Sequence, residues 1–236
     1  MFLSLNLKLL SFLSTLLFVF TVLSILFFIL FGYISFKFLR FHYISSNNSV
    51  TEYDNYSSQL LEKYGDDPIL NVTIVKKRIT LPVICLIMIA DLPNFSPDKF
   101  TKLLKMSHIG ILFHIKSNNK YDKHILIEKN NKINITDTYS VGPTDKFLSF
   151  SPEKDKNITI QSVLDQTREK IGDIEFFNWN DFYKNNCQTF GLELLNTLEI
   201  LNEERKNFIK DKFDIQFNPF TLYLFNQAVY FYSFFS

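Results

Sequence analysis

Asn185-Asn186-Cys187-Gln188-Thr189-Phe190-Gly191-Leu192-Glu193-Leu194-Leu195, preceded by Phe182-Tyr183-Lys184, is the stretch on which the reading of the chain turns. Asn186 is a favoured N-cap, because its short side-chain carbonyl can accept from the free N–H groups of a first helical turn. Phe190, Leu194 and Leu198 then recur every four residues, the spacing of one helical face. A helix is therefore expected from 186 to about 198, with these three residues as its buried stripe. Cys187 falls in the first turn, where unpaired N–H groups and the helix dipole favour an anion. A thiol in that position gives thiolate, its nucleophilic form, near neutral pH. The competing reading of a lone cysteine before an apolar helix is a small buried hydrophobe.

A thiolate nucleophile needs a proton shuttle, and histidine is the usual one. Upstream, 108–115 and 125–128 are rich in Ile, Leu and Phe and read as two strands, joined by the polar turn Ser117-Asn118-Asn119-Lys120. His108 opens the first strand and His124 the second. His114 shares the face of His108 but lies about 20 Å along the strand, too far to share its site. A third strand is expected around 133–138, and 71–76 alternates as a further one. The run 81–90 is apolar, contains Pro82 and is too short to span a bilayer, so it reads as a buried strand with Cys85 a small buried hydrophobe. Ser96 and Pro97 predict the N-cap and first position of a short helix over 96–104. Downstream, 142–156 carries two prolines and mixed charge and reads as a loop. The segment 160–171 has Val163, Leu164 and Ile171 on one side, an amphipathic helix closed by Gly172.

Ahead of this body lies a different kind of sequence. From 9 to 36 there are 28 residues without a charge, between Lys8 and Lys37. About 20 apolar residues span a bilayer, and as a helix this run would reach ~42 Å. Its length and its Phe31-Gly32-Tyr33-Ile34-Ser35 end do not fit a cleaved signal peptide. The chain thus divides into an N-terminal transmembrane anchor (1–40), a polar juxtamembrane linker (41–66) with a short helix near 58–64, an α+β domain (67–212) and an aromatic tail (213–236). His42 reads as interfacial. The last 17 residues are uncharged and rich in Tyr and Phe, suited either to a membrane interface or to packing on the domain. Six sequons, at Asn47, Asn55, Asn71, Asn94, Asn134 and Asn157, would suit a lumenal or extracellular adhesion-like domain. A thiol enzyme suits a reducing compartment, which favours a cytosolic domain on a single-pass anchor.

The chain has 236 residues, 47% hydrophobic and 21% charged, with net charge +1. That composition excludes a disordered chain and gives no basic surface for nucleic acid. Two cysteines cannot build a disulfide framework. No metal or cofactor is expected.

The segment 160–198 resembles the closing part of circularly permuted papain-like proteins, the lecithin:retinol acyltransferase-like group. In that group an amphipathic helix ends in Gly, a Tyr-containing stretch follows, and Asn-Cys-x-x-Phe opens the nucleophile helix. Here these are Val163 to Ile171, Gly172, Tyr183 and Asn186-Cys187-Gln188-Thr189-Phe190. The resemblance implies a permuted papain-like domain, an antiparallel sheet plus nucleophile helix, with the catalytic His earlier, at the head of a strand. Ser107-His108-Ile109-Gly110-Ile111 matches that form. The third polar residue, on the next strand, would be Glu128, with His124 as rival. The middle positions Gln188 and Thr189 depart from the acyltransferases' usual Glu-His. The expected activity is a membrane-anchored cysteine hydrolase or acyltransferase acting on an acyl-lipid or peptide bond, with no nucleic-acid partner. The alternative is an inactive membrane-tethered interaction module of the same fold.

Overall fold

The computed structural model describes residues between Glu52 and Tyr223, apart from 80, 92–93, 95, 117–121, 131, 153–157, 179–184, 212–214, 218 and 220. The expected span over 9–36, His42, Asn47, Asn157, the 117–120 turn, Tyr183 and the tail beyond 223 lie outside the described residues. Among the described residues no helix is long and apolar enough to cross a membrane.

Chain order is α1 (Asn55–Tyr64), β1 (Ile69–Arg78), α2 (Leu81–Ala90), α3 (Pro97–Leu103), β2 (Ser107–Ile115), β3 (Lys123–Lys129), β4 (Ile133–Thr136), β5 (Lys146–Phe150), α4 (Ile160–Ile171), α5 (Asp173–Phe177), α6 (Cys187–Thr197) and α7 (Glu203–Ile209). The fold is α+β. Five strands form one antiparallel sheet in the order β4-β3-β2-β1-β5.

Strand pleating sends alternate residues to opposite faces, and here one face is nearly all aliphatic. Val72, Ile74, Ile109, Ile111, Phe113, Ile125, Ile127 and Ile135 belong to one buried cluster with Leu60, Leu61, Val163, Leu164, Phe176, Phe190 and Leu194 from the helices. Each fully buried Leu or Ile of this kind stabilises the fold by roughly 1.5–3 kcal/mol relative to exposure. The helix expected near 58–64 is α1, and it belongs to this core through Leu60, Leu61 and Tyr64. Asp54 caps it, accepting from the Ser57 N–H. α4 begins at a Thr159–Ser162 capping box and ends at Gly172, whose φ of 82° only glycine adopts without strain. The short helix behind Ser96 and Pro97 is present as α3, with the Ser96 side chain accepting from Lys99 N–H.

Two expectations are corrected. The run 81–90 is the helix α2, not a strand. Ten apolar residues carry no alternation that would separate the two, and Pro82 lacks only an N–H that a first helical turn leaves unpaired. Ile84 and Ile87, three residues apart, pack with Leu103, Met106 and Ile215 into a second, smaller cluster. Cys85 points away from it and is exposed rather than buried. The supposed loop over 142–156 contains β5, an edge strand paired with β1 from Val72↔Phe150 to Lys76↔Lys146. Its mostly exposed side chains hide the strand signal, and the guanidinium of Arg205 lies 4.0 Å over the Phe150 ring.

Where the tail is described it packs on the domain. Ile215 joins the second cluster, and the buried Thr221 hydroxyl donates to Asp91 Oδ1 at 2.9 Å. Asp91 is also ion-paired with Lys99.

Candidate active site

The start of α6 is built by Asn186. Its side-chain carbonyl accepts from Gln188 N–H at 2.9 Å and Thr189 N–H at 3.0 Å, while the Thr189 hydroxyl accepts from Asn186 N–H at 2.8 Å. This reciprocal box fixes the first turn and sets Cys187 at its head. It also occupies the N–H groups of Gln188 and Thr189. Phe190, Leu194 and Leu198 are buried, as their spacing requires.

Gly191 sets how near α6 comes to the sheet. A Cβ there would lie 3.1 Å from Ile109 Cγ2. The hydrogen atom in its place lets the helix settle against β2 one residue beyond His108.

The three sequence-predicted residues come together. Cys187 is the neighbouring group that most favours the charged form of His108, and the ring's Nε2 lies 3.8 Å from Glu128 Oε1. Strand register explains the second contact. Gly110 pairs with Glu128 across β2 and β3, and His108 precedes Gly110 by two residues on the same face. The rival, His124, pairs with His114 instead. Four residues from Glu128 along the strand, it is about 13 Å away. The two imidazoles stack with centroids 4.7 Å apart, and His114 Nε2 lies 3.2 Å from Asp122 Oδ2. Among the described residues no group of His, Cys, Asp and Glu is arranged to hold a metal ion.

Electrostatics within the site favour a charged imidazole. Burial opposes protonation of His108, but the neighbouring Cys187 and then Glu128 outweigh burial and the repulsion of Lys77, holding the ring above its ordinary value.

Several neighbours carry no sequence signal. Lys77, directly across from His108 on β1, reaches Glu128 Oε1 at 2.6 Å. Asp211 joins the two halves of the site. Its carboxylate accepts from Ser107 N–H at 2.9 Å and from Gln188 Nε2 at 2.8 Å, while Lys76 Nζ lies 2.9 Å away. Ser107 precedes His108 and Gln188 follows Cys187, so one carboxylate ties both segments. The departure at position 188 from the resembled pattern thereby has a local use: an amide can donate to Asp211, where a carboxylate would repel it.

Behind α6, Lys129 is fully buried on the helix face of β3. Its Nζ donates to Glu175 O and to Asn185 Oδ1, the latter at 2.7 Å, and stands 5.4 Å over the Phe190 ring. Burial lowers its pKa to about 7, against a smaller opposing pull from Glu175. Asn185 in turn donates to Asn178 O at 2.7 Å, so the lysine secures the chain entering α6.

Compared with known proteins, the chain matches no family model, no curated protein and no solved structure.

Proposed function

We propose that the chain is a membrane-anchored thiol hydrolase or acyltransferase whose domain is a permuted papain-like fold. The observation that carries the reading is the meeting of Cys187, at a capped helix start, with His108 at a strand head and Glu128 on the neighbouring strand. Cys187 Sγ attacks the acyl carbon of an ester, thioester or amide. The thiol proton passes to His108, which delivers it to the leaving alcohol, thiol or amine as the C–X bond breaks. The acyl group is then a thioester on Cys187. Water returns it as an acid in a hydrolase, and a second alcohol or amine accepts it in an acyltransferase. His108 takes the incoming nucleophile's proton in that step. Glu128 orients the imidazole and favours its charged form, and the Cys187 N–H faces the oxyanion. The uncharged run 9–36 supplies the anchor, with the domain on the cytosolic side and an acyl-lipid or peptide as substrate.

The inactive interaction module has one observation in its favour: Glu128 is closer to Lys77 than to His108. The pH dependence of Cys187 alkylation by iodoacetamide, on detergent-solubilised full-length chain, separates the two. The enzyme reading expects reaction well below the ordinary thiol range of about 8.5, moving upward in His108→Ala. A midpoint at or above that range, unmoved by the substitution, eliminates it.

A further inference from the structure

The contest for Glu128 has a direction. Its Oε1 is 2.6 Å from Lys77 Nζ and 3.8 Å from His108 Nε2, and that ring nitrogen is buried without a hydrogen-bond partner among the described residues. A buried donor left unpaired is costly and calls for an explanation. Lys77 is itself held in place. Its Nζ lies 4.9 Å over the Tyr139 ring, and the Tyr139 hydroxyl donates to Asp145 Oδ2 at 2.7 Å. Between the two claimants the floor is Gly110, where a Cβ would meet Glu128 Cγ at 2.9 Å and Oε1 at 3.1 Å. The missing side chain leaves the carboxylate a track, and about 1 Å of travel would bring it within hydrogen-bond distance of Nε2.

Resting on the proposed thiol chemistry, we propose that Lys77 is a positioning residue that restrains the site by holding Glu128 short of His108. The restraint is released when Lys77 is drawn away or neutralised. The charged or titratable groups facing the imidazole are Cys187 from α6, Glu128 from β3 and Lys77 from β1. Lys77 weakens the ion pair twice over: its charge repels the imidazolium, and it engages the carboxylate that would stabilise it. Most substitutions beside a catalytic pair slow it. Removing this one is expected to speed it.

The test uses full-length protein in detergent micelles. Lys77→Met should raise the rate of Cys187 alkylation at pH 6.5 by about threefold to tenfold. The His108 ring, followed by NMR, should titrate at higher pH than in the wild type. Lys77→Arg, which keeps the charge, should restore the restraint. Lys77→Met/Glu128→Gln should lose the gain, because the freed carboxylate is gone. An unchanged or slower Lys77→Met, with an unshifted His108 titration, overturns the proposal. So does a double variant as fast as the single one. The two readings fail separately. A wild-type alkylation profile indifferent to His108→Ala removes the enzyme, while the titration of the ring still reports whether Lys77 withholds Glu128.

Discussion

The two faces of the central sheet handle charge in opposite ways. On the helix-covered face, Lys129 is satisfied by a backbone carbonyl, an amide oxygen and an aromatic ring, with no carboxylate in hydrogen-bond contact among the described residues. Burial therefore decides its protonation. On the other face, Glu128 stands within ion-pairing distance of both Lys77 and His108, and mutual charge decides. A side chain's type says little about its role here. The same strand β3 carries Glu128 to one face and Lys129 to the other, one residue apart, and the pleat alone sends one beside His108 and the other into the core.

If that division holds, changes on the helix face should cost stability first, and changes on the other face reactivity first. The largest effect is expected from Leu194→Ala, which empties the centre of α6's contact with the sheet. It should lower unfolding free energy by about 2–5 kcal/mol, read by denaturant titration. Gly191→Ala comes next. Its new methyl must displace Ile109, and overpacking of this kind costs about 1–3 kcal/mol. It should also slow Cys187 alkylation, because α6 is lifted from the strand that carries His108. Asn186→Ala removes the acceptor for two N–H groups and should cost about 1 kcal/mol, with loss of reactivity beyond what that destabilisation explains.

The smallest effect should be the most diagnostic. Lys129 has a native pKa lowered to about 7 from 10.5, so between these values the unfolded chain binds more protons than the folded one. Stability contributed at this site therefore rises with pH across that window. His108 has the opposite sign. Its folded pKa lies above the ordinary 6.5, so its contribution is complete below that value and is lost as pH rises through the folded value. Lys129→Met should flatten the rising part of a stability–pH curve, and His108→Ala the falling part. Thermal unfolding across pH 5–10 measures both, and equal slopes in all three proteins would break the comparison.

Where local rules act alone, the sequence is readable. Asn186 before Cys187, Ser96 before Pro97 and Gly172 after Ile171 announce helix ends through groups that bond within four residues. The alternation of 71–76 and the Ile, Leu and Phe content of 108–115 announce strands because one face is buried. The approach of Glu128 to His108 follows from strand positions, because the two residues lie one pleat apart on the same face of neighbouring strands. What escaped reading depends on distant partners. α2 is uniformly apolar, so only its packing against Leu103, Met106 and Ile215 selects a helix. β5 is an exposed edge whose existence depends on β1 offering a free side. Asp211 contacts Ser107 from 104 residues away, and Lys77 reaches Glu128 from 51. No window along the chain contains either pair.

The position of β2 in the sheet has one more consequence. With β1 on one side and β3 on the other, both its edges are hydrogen-bonded. β4 and β5 are the strands at the margins, where fraying starts. Amide protons of residues 109–113 should therefore exchange with solvent only on opening of the whole domain, while those of β4 and β5 exchange through partial openings. The histidine stands at the head of this central strand, so partial openings of β4 and β5 should leave its mounting in place.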